Sequence, residues 1–144
     1  MNKFFEDLSF GNTYEKEYIN IVKPTNFKII EGKFKDYDIE IIKDDITTYY
    51  EIKSDRLTHK TGNICIEYEC NKIPSGITTT TADYYIYFEI IDDTNYIMYE
   101  IPVNKLKKYI RLNKFHKVVN GGDGYRAKLY LFNKDIFKKY IQHI

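Results

Sequence analysis

Tyr37-Asp38-Ile39-Glu40-Ile41-Ile42-Lys43-Asp44-Asp45-Ile46-Thr47-Thr48-Tyr49-Tyr50-Glu51-Ile52-Lys53 holds two runs of β-branched and aromatic residues separated by an acidic turn. Such runs on either side of turn residues predict an antiparallel hairpin. If the turn is centred between Asp44 and Asp45, paired residues have numbers that sum to 89, and Asp38 falls opposite Glu51. Side chains alternate along a strand, so Lys53 shares the face of Glu51. Ile39, Ile41, Tyr50 and Ile52 occupy the other face, which suits a core, while Asp36 and Glu40 add to the charged one. A one-residue slip would turn Asp38 away from Glu51.

Like charges opposite each other on a sheet are unfavourable. A divalent cation between Asp38 and Glu51 turns that repulsion into ligation. Mg²⁺ suits such a pair because it accepts one or two carboxylates and keeps several waters, with Mn²⁺ a possible substitute. This chemistry is that of phosphodiester hydrolysis: the metal supplies a water nucleophile and stabilises charge at phosphorus, and Lys53 orients the water or neutralises the phosphate. Spacing alone is equally compatible with a solvated, charged sheet face. The other Glu-x-Lys triplet, Glu31-Gly32-Lys33, is interrupted by glycine and lacks strand flanks.

Outward from the hairpin, residues 5 to 22 predict an opening helix with Leu8, Tyr14, Tyr18, Ile19 and Val22 along one face. Gly11 moves its expected start towards Asn12, a good cap, and Pro24 ends it. Further strands are expected at Phe27–Ile30, Asn63–Glu69, Tyr84–Ile91, Tyr96–Ile101 and Tyr125–Phe132. Helices are expected over residues 103 to 112 and from an Asn133 cap to Ile144. The class is α+β, or mixed α/β, with a central mixed β-sheet flanked by helices.

The 144 residues are 43% apolar and 30% charged, which suits one globular domain and argues against wholesale disorder. No apolar run approaches the length of about 18 residues that marks a membrane span. The first residues carry acids where a signal peptide needs an apolar stretch. Ile, Lys, Tyr, Asn, Phe and Met make up 78 of the 144 residues, and Lys outnumbers Arg 19 to 3. This is the signature of an AT-rich genome. Cys65 and Cys70 lie five apart in one expected strand and so face opposite ways, unable to pair. A reducing intracellular compartment follows. His59, His116 and His143 form no zinc spacing with them.

The surrounding motifs add to the hairpin. Tyr37-Asp38-Ile39-Glu40-Ile41 followed by Tyr49-Tyr50-Glu51-Ile52-Lys53-Ser54-Asp55 resembles the core motif of the PD-(D/E)XK nuclease superfamily. Thr61-Gly62-Asn63, then Glu67, Pro74-Ser75-Gly76-Ile77 and Thr81-Ala82-Asp83-Tyr84 resemble its small phage- and virus-encoded endonucleases, like Holliday-junction resolvases or homing endonucleases. The late Gly121-Gly122-Asp123-Gly124 turn is similar too. The resemblance spans residues 11 to 132. It implies a restriction-endonuclease-like core, a metal held by Asp38 and Glu51, and a catalytic Lys53. It further implies that Glu15 supplements the metal site and that Glu67 is a fourth polar motif residue. Tyr37 stands where the motif nominally has proline. The implied activity is Mg²⁺-dependent DNA cleavage inside a bacterial host, or in the host cell or virion of a large DNA virus. The alternative is a catalytically silent DNA-binding or assembly protein on the same scaffold.

Candidate DNA contacts are Arg56, His59 and Lys60 after the active-site strand, and Ser75 with Thr79, Thr80 and Thr81 in a polar turn. The net charge of +1 suggests no affinity for nucleic acid until it is divided. Residues 1 to 102 hold 11 basic and 19 acidic residues, a net −8, whereas residues 103 to 144 hold 11 and 2, a net +9. Lys105, Lys107, Lys108 and Arg111 lie off the apolar stripe of Val103, Leu106 and Ile110, and Lys114, His116 and Lys117 follow. A basic surface beside an acidic metal site suits a phosphate-cleaving enzyme. One domain carries one site, so cutting both strands calls for a homodimer or higher oligomer.

Overall fold

A computed structural model of the protein describes residues 3–32 and 36–143. The chain is α+β, with a central mixed sheet of six strands, a second sheet of four, and a few helices. The six-stranded sheet runs in the order β1 (Phe27–Ile29), β2 (Ile39–Lys43), β3 (Ile46–Asp55), β6 (Tyr84–Ile90), β7 (Tyr96–Pro102) and β10 (Ile141–Gln142). Its pairings are antiparallel except for β3 with β6, which run parallel. The second sheet is antiparallel, in the order β5 (Ile73–Pro74), β4 (Asn63–Cys70), β9 (Ala127–Asn133) and β8 (Lys117–Gly121).

The hairpin register is the one the turn predicts. Ile39 pairs with Tyr50, Ile41 with Thr48 and Lys43 with Ile46. Asp44 and Asp45 sit at φ 54° and 63°. Positive φ at both central residues is the two-residue turn whose twist matches that of the strands. Aspartate adopts this left-handed region more readily than most side chains.

Each face of the central sheet is covered. Helix α1 (Lys3–Val22) lays Tyr14 and Tyr18 over Ile39, Ile41, Ile52, Ile86, Phe88, Ile90 and Met98. On the opposite face Tyr85, Tyr87, Tyr99 and Ile101 pack with Ile64, Ile66 and Phe132 of the second sheet. Val103 and Leu106 of α3 (Val103–Arg111) close that core. The phenols that reach into these layers keep polar partners: Tyr18 donates to Glu100 at 3.2 Å and Tyr96 to Glu17 at 3.2 Å. Burial, with the neighbouring Glu17 carboxylate, pushes the Tyr96 phenol up to about 12.

Several boundaries differ from expectation. α1 begins at Lys3 and continues through Gly11, earlier than the expected start near Asn12. The side chains of Leu8 and Asn12 lie outside the described residues. The chain turns at Lys23, φ 52°, before Pro24. β8 falls in the stretch after α3 where no strand was expected; its side chains alternate poorly, and its edge position in the second sheet demands little burial. Asn133 does cap the C-terminal segment, accepting from the Asp135 N–H at 3.0 Å. That segment is a 3-10 helix, Lys134–Tyr140, and then β10 pairs with Tyr99 and Met98 of β7. Among the described residues no helix is long and apolar enough to cross a membrane. Both cysteines are free.

One buried carboxylate ties the layers together. Glu89, at the end of β6, is fully buried. It accepts from Tyr99 OH at 2.6 Å, from Lys134 Nζ at 2.8 Å, and lies 2.9 Å from His59 Nδ1. Burial disfavours its ionised form, but the bonds to Lys134, Tyr99 and His59 outweigh that cost and hold the carboxyl below its ordinary value of 4.5. A depressed folded pKa contributes stability that is present above the ordinary value and lost as pH falls through the folded one. Glu89→Gln should therefore lower unfolding free energy by about 1–3 kcal/mol near neutral pH. Urea melts as a function of pH should show that difference shrinking only below the ordinary carboxyl range.

Candidate active site

The charged face of the hairpin opens into a cleft of about 810 Å³. Asp38 precedes β2 at a bend, and its N–H still donates to Tyr50 O at 2.8 Å. Its carbonyl accepts from Ile30 N at 2.8 Å, so the backbone is held from both sides. Beyond this point the carboxylate replaces the ladder: Asp38 Oδ2 accepts from Ile52 N at 2.7 Å. A carboxylate bonded to a backbone N–H is a charge-assisted contact, which fixes Asp38 beside Glu51 although it is buried.

Glu51 pairs in register with Tyr85 at the parallel β3–β6 junction and is itself almost buried. Its Oε1 lies 3.7 Å from Lys53 Nζ, whose side chain is 41% exposed. Its Oε2 lies 3.3 Å from the hydroxyl of Thr80. That hydroxyl also reaches the Asp36 carbonyl at 2.8 Å and accepts from Ala82 N at 3.2 Å. Thr80 thus joins Glu51 to the strand entry at Asp36. Tyr85 lies fully buried behind this group, its phenol kept protonated by burial and by the carboxylates of Glu51, Glu67 and Asp38.

Glu67 enters from the second sheet. Its Oε2 accepts from Ser75 Oγ at 2.9 Å, and Gly76 follows at φ 54°. A Cβ on Gly76 would collide with the Glu67 carbonyl, so only glycine lets this turn press so closely on β4. A register shift between Glu67 and Glu69 accompanies the contact. From α1 come Tyr14 and the half-buried Glu15, both lining the cleft. Burial raises the Tyr14 phenol, with the charge of Arg56 opposing the shift.

Glu15, Asp38, Glu51, Lys53, Glu67 and Ser75 thus line a single cleft, brought there by α1, the hairpin, β4 and the turn after β5. No protein-family model, curated protein or solved structure matches the chain.

Thr79 also lines the cleft, whereas the basic candidates other than Lys53 are not among its lining residues. His59 is engaged by Glu89, and Lys60 is exposed on the short helix α2 (Thr58–Thr61). Arg56 is near Tyr14 but is not among the lining residues. Of the basic C-terminal residues, Lys107 and Arg111 share a neighbouring groove, while Lys105, Lys108, Lys114 and Lys117 are exposed elsewhere. His116 bonds Asn63 Oδ1 at 2.9 Å.

Among the described residues no group of three or more His, Cys, Asp and Glu side chains is disposed to hold a metal ion. Asp38 and Glu51 offer a pair of oxygen donors, and such a pair fits Mg²⁺, which takes one or two carboxylates and fills its remaining positions with water and substrate. Thr80 is the residue that sequence alone placed only as a DNA contact. The signal was its place in a polar run that returns to the hairpin. Thr80→Val keeps the shape but takes the hydroxyl away from the Ala82 N–H and from Glu51, and leaves the Asp36 carbonyl with the Thr81 N–H in place of two donors. Urea denaturation should record a loss of about 1–3 kcal/mol, largely restored by Thr80→Ser.

Proposed function

We propose that this protein is a Mg²⁺-dependent endonuclease that hydrolyses DNA phosphodiester bonds. The reading is carried by one observation: Asp38, Glu51 and Lys53 line one cleft, with the Asp38 carboxylate locked to the Ile52 N–H between the other two. The resemblance to the PD-(D/E)XK motif assigns the same three residues.

Asp38 and Glu51 are the residues that would hold the metal. Bound there, Mg²⁺ would supply an activated water and neutralise charge developing on phosphate. Lys53 brings a cation to the same side of the sheet, within 3.7 Å of Glu51 and open to solvent, placed to bind a phosphate oxygen or orient the attacking water. Burial of Asp38 and Glu51 in a partly enclosed cleft strengthens every charge interaction made there. Glu67 and Ser75 stiffen the turn that walls the cleft, and Glu15 adds a carboxylate from the helix side. Lys107 and Arg111 provide positive charge beyond that turn. Cutting both strands would require a second copy of the chain.

Plasmid nicking with Mg²⁺ tests the proposal. Wild type should cleave, Mn²⁺ should substitute, and EDTA should stop the reaction. Asp38→Ala and Lys53→Ala should each lower the rate by about 10²–10⁴-fold while circular dichroism shows the fold retained. Full activity in either folded variant would overturn the assignment, and DNA binding without any metal-dependent cleavage would point to the silent scaffold.

A further inference from the structure

The turn from Ser75 to Thr79 faces two ways. Ser75, Gly76 and Thr79 line the cleft, whereas Ile77 and Thr78 line a separate groove of about 310 Å³ with Lys107, Ile110, Arg111 and Tyr130. The turn is therefore a low ridge between two depressions.

The chemistry of the groove is different from that of the cleft. Its two charged side chains, Lys107 and Arg111, are both cations, one helical turn apart on α3, and no carboxylate lines it. Neither forms an ion pair with a described acid. Like charges at this spacing repel, and an anion between them relieves the repulsion. Ile77, Ile110 and Tyr130 give the groove an apolar floor. The Tyr130 ring is held between Tyr68, at 4.2 Å, and Phe115, at 4.7 Å, so the floor is rigid. Thr78 is already committed, its hydroxyl donating to the Tyr68 carbonyl at 2.8 Å.

Two cations over a rigid apolar floor match a sugar-phosphate chain whose base is free of its partner. Apolar side chains beside the two cations favour a base that has lost its partner over one stacked and paired inside a duplex. We propose that the groove binds an unpaired stretch of the DNA strand that runs out of the cleft across the Ser75–Thr79 ridge. The substrate class is then DNA with a single-stranded segment next to the scissile phosphate, such as an overhang, flap or junction arm. This inference rests on the nuclease reading of the cleft.

Fluorescence anisotropy without divalent metal separates the two claims. The probes are a labelled blunt duplex and the same duplex with a single-stranded extension of about ten nucleotides, in each polarity. Wild type should bind one extended probe about tenfold more tightly than the blunt one. Lys107→Ala/Arg111→Ala should erase that preference and reduce the salt-dependence slope for the extended probe by about 1.4. Lys43→Ala/Lys138→Ala, which removes equal charge elsewhere on the surface, should keep it. Equal binding of blunt and extended probes by wild type, or a preference that survives in the Lys107/Arg111 variant, would overturn the groove inference alone. Failure to bind any probe would overturn the groove inference, while the nuclease reading is decided separately by the Mg²⁺-dependent nicking assay.

Discussion

The Asp44–Asp45 turn sets the geometry on which the rest depends. Two consecutive residues at positive φ leave the hairpin one register, in which the numbers of paired residues sum to 89. Because side chains alternate, that register sends Ile39, Ile41 and Ile52 under α1 and leaves Glu51 and Lys53 on the other side. Slipping by one residue would bury charges under the helix and expose isoleucines, so the core enforces what the turn chooses. Where the ladder ends, the Asp38 carboxylate takes over from a backbone carbonyl and bonds Ile52 N. The same side chain thereby finishes the sheet and faces the cleft.

A sheet with two covered faces has to satisfy many polar groups inside. It does so with tyrosine. Phenols bring large apolar surface together with a hydroxyl that finds a carboxylate or backbone partner, as Tyr99 does with Glu89 and Tyr87 with Asp55 at 2.9 Å. Cys65 lies in the same layer, its thiol pushed up to about 11 by burial and by Asp55, which makes it a poor nucleophile at neutral pH. Among the described residues no buried side-chain nitrogen or oxygen lacks a partner. The reactive-looking residues outside the cleft are thus accounted for as packing and hydrogen bonding.

How far the sequence alone reaches depends on the kind of constraint. The hairpin was legible because turn chemistry and alternation agree over residues 39 to 50. The strands β4, β6, β7 and β9 were legible from β-branched and aromatic runs. The parallel pairing of β3 with β6 and the separation into two sheets were not, since long-range pairing leaves no local mark. β8 and β10 are short edge strands with weak alternation, and local helix signals masked the second. At the site, residues anchored to the hairpin were placed by register, and Glu15, Glu67 and Ser75 by motif resemblance. His59 was read as a candidate DNA contact, and its bond to Glu89, 30 residues away in the chain, left no local mark. Division of the +1 net charge into −8 and +9 located the basic part of the chain. It could not say that Lys107 and Arg111 turn into one groove while Lys105 and Lys108 do not.

The account stands or falls on Asp38 and Glu51 acting together on one cation. The most direct measurement is an anomalous difference map from crystals soaked in Mn²⁺ at a concentration that supports cleavage. The account predicts a single peak in the cleft, ligated by an oxygen of Asp38 and an oxygen of Glu51. A cleft without a peak under those conditions, or an ion bound without Asp38, would contradict it.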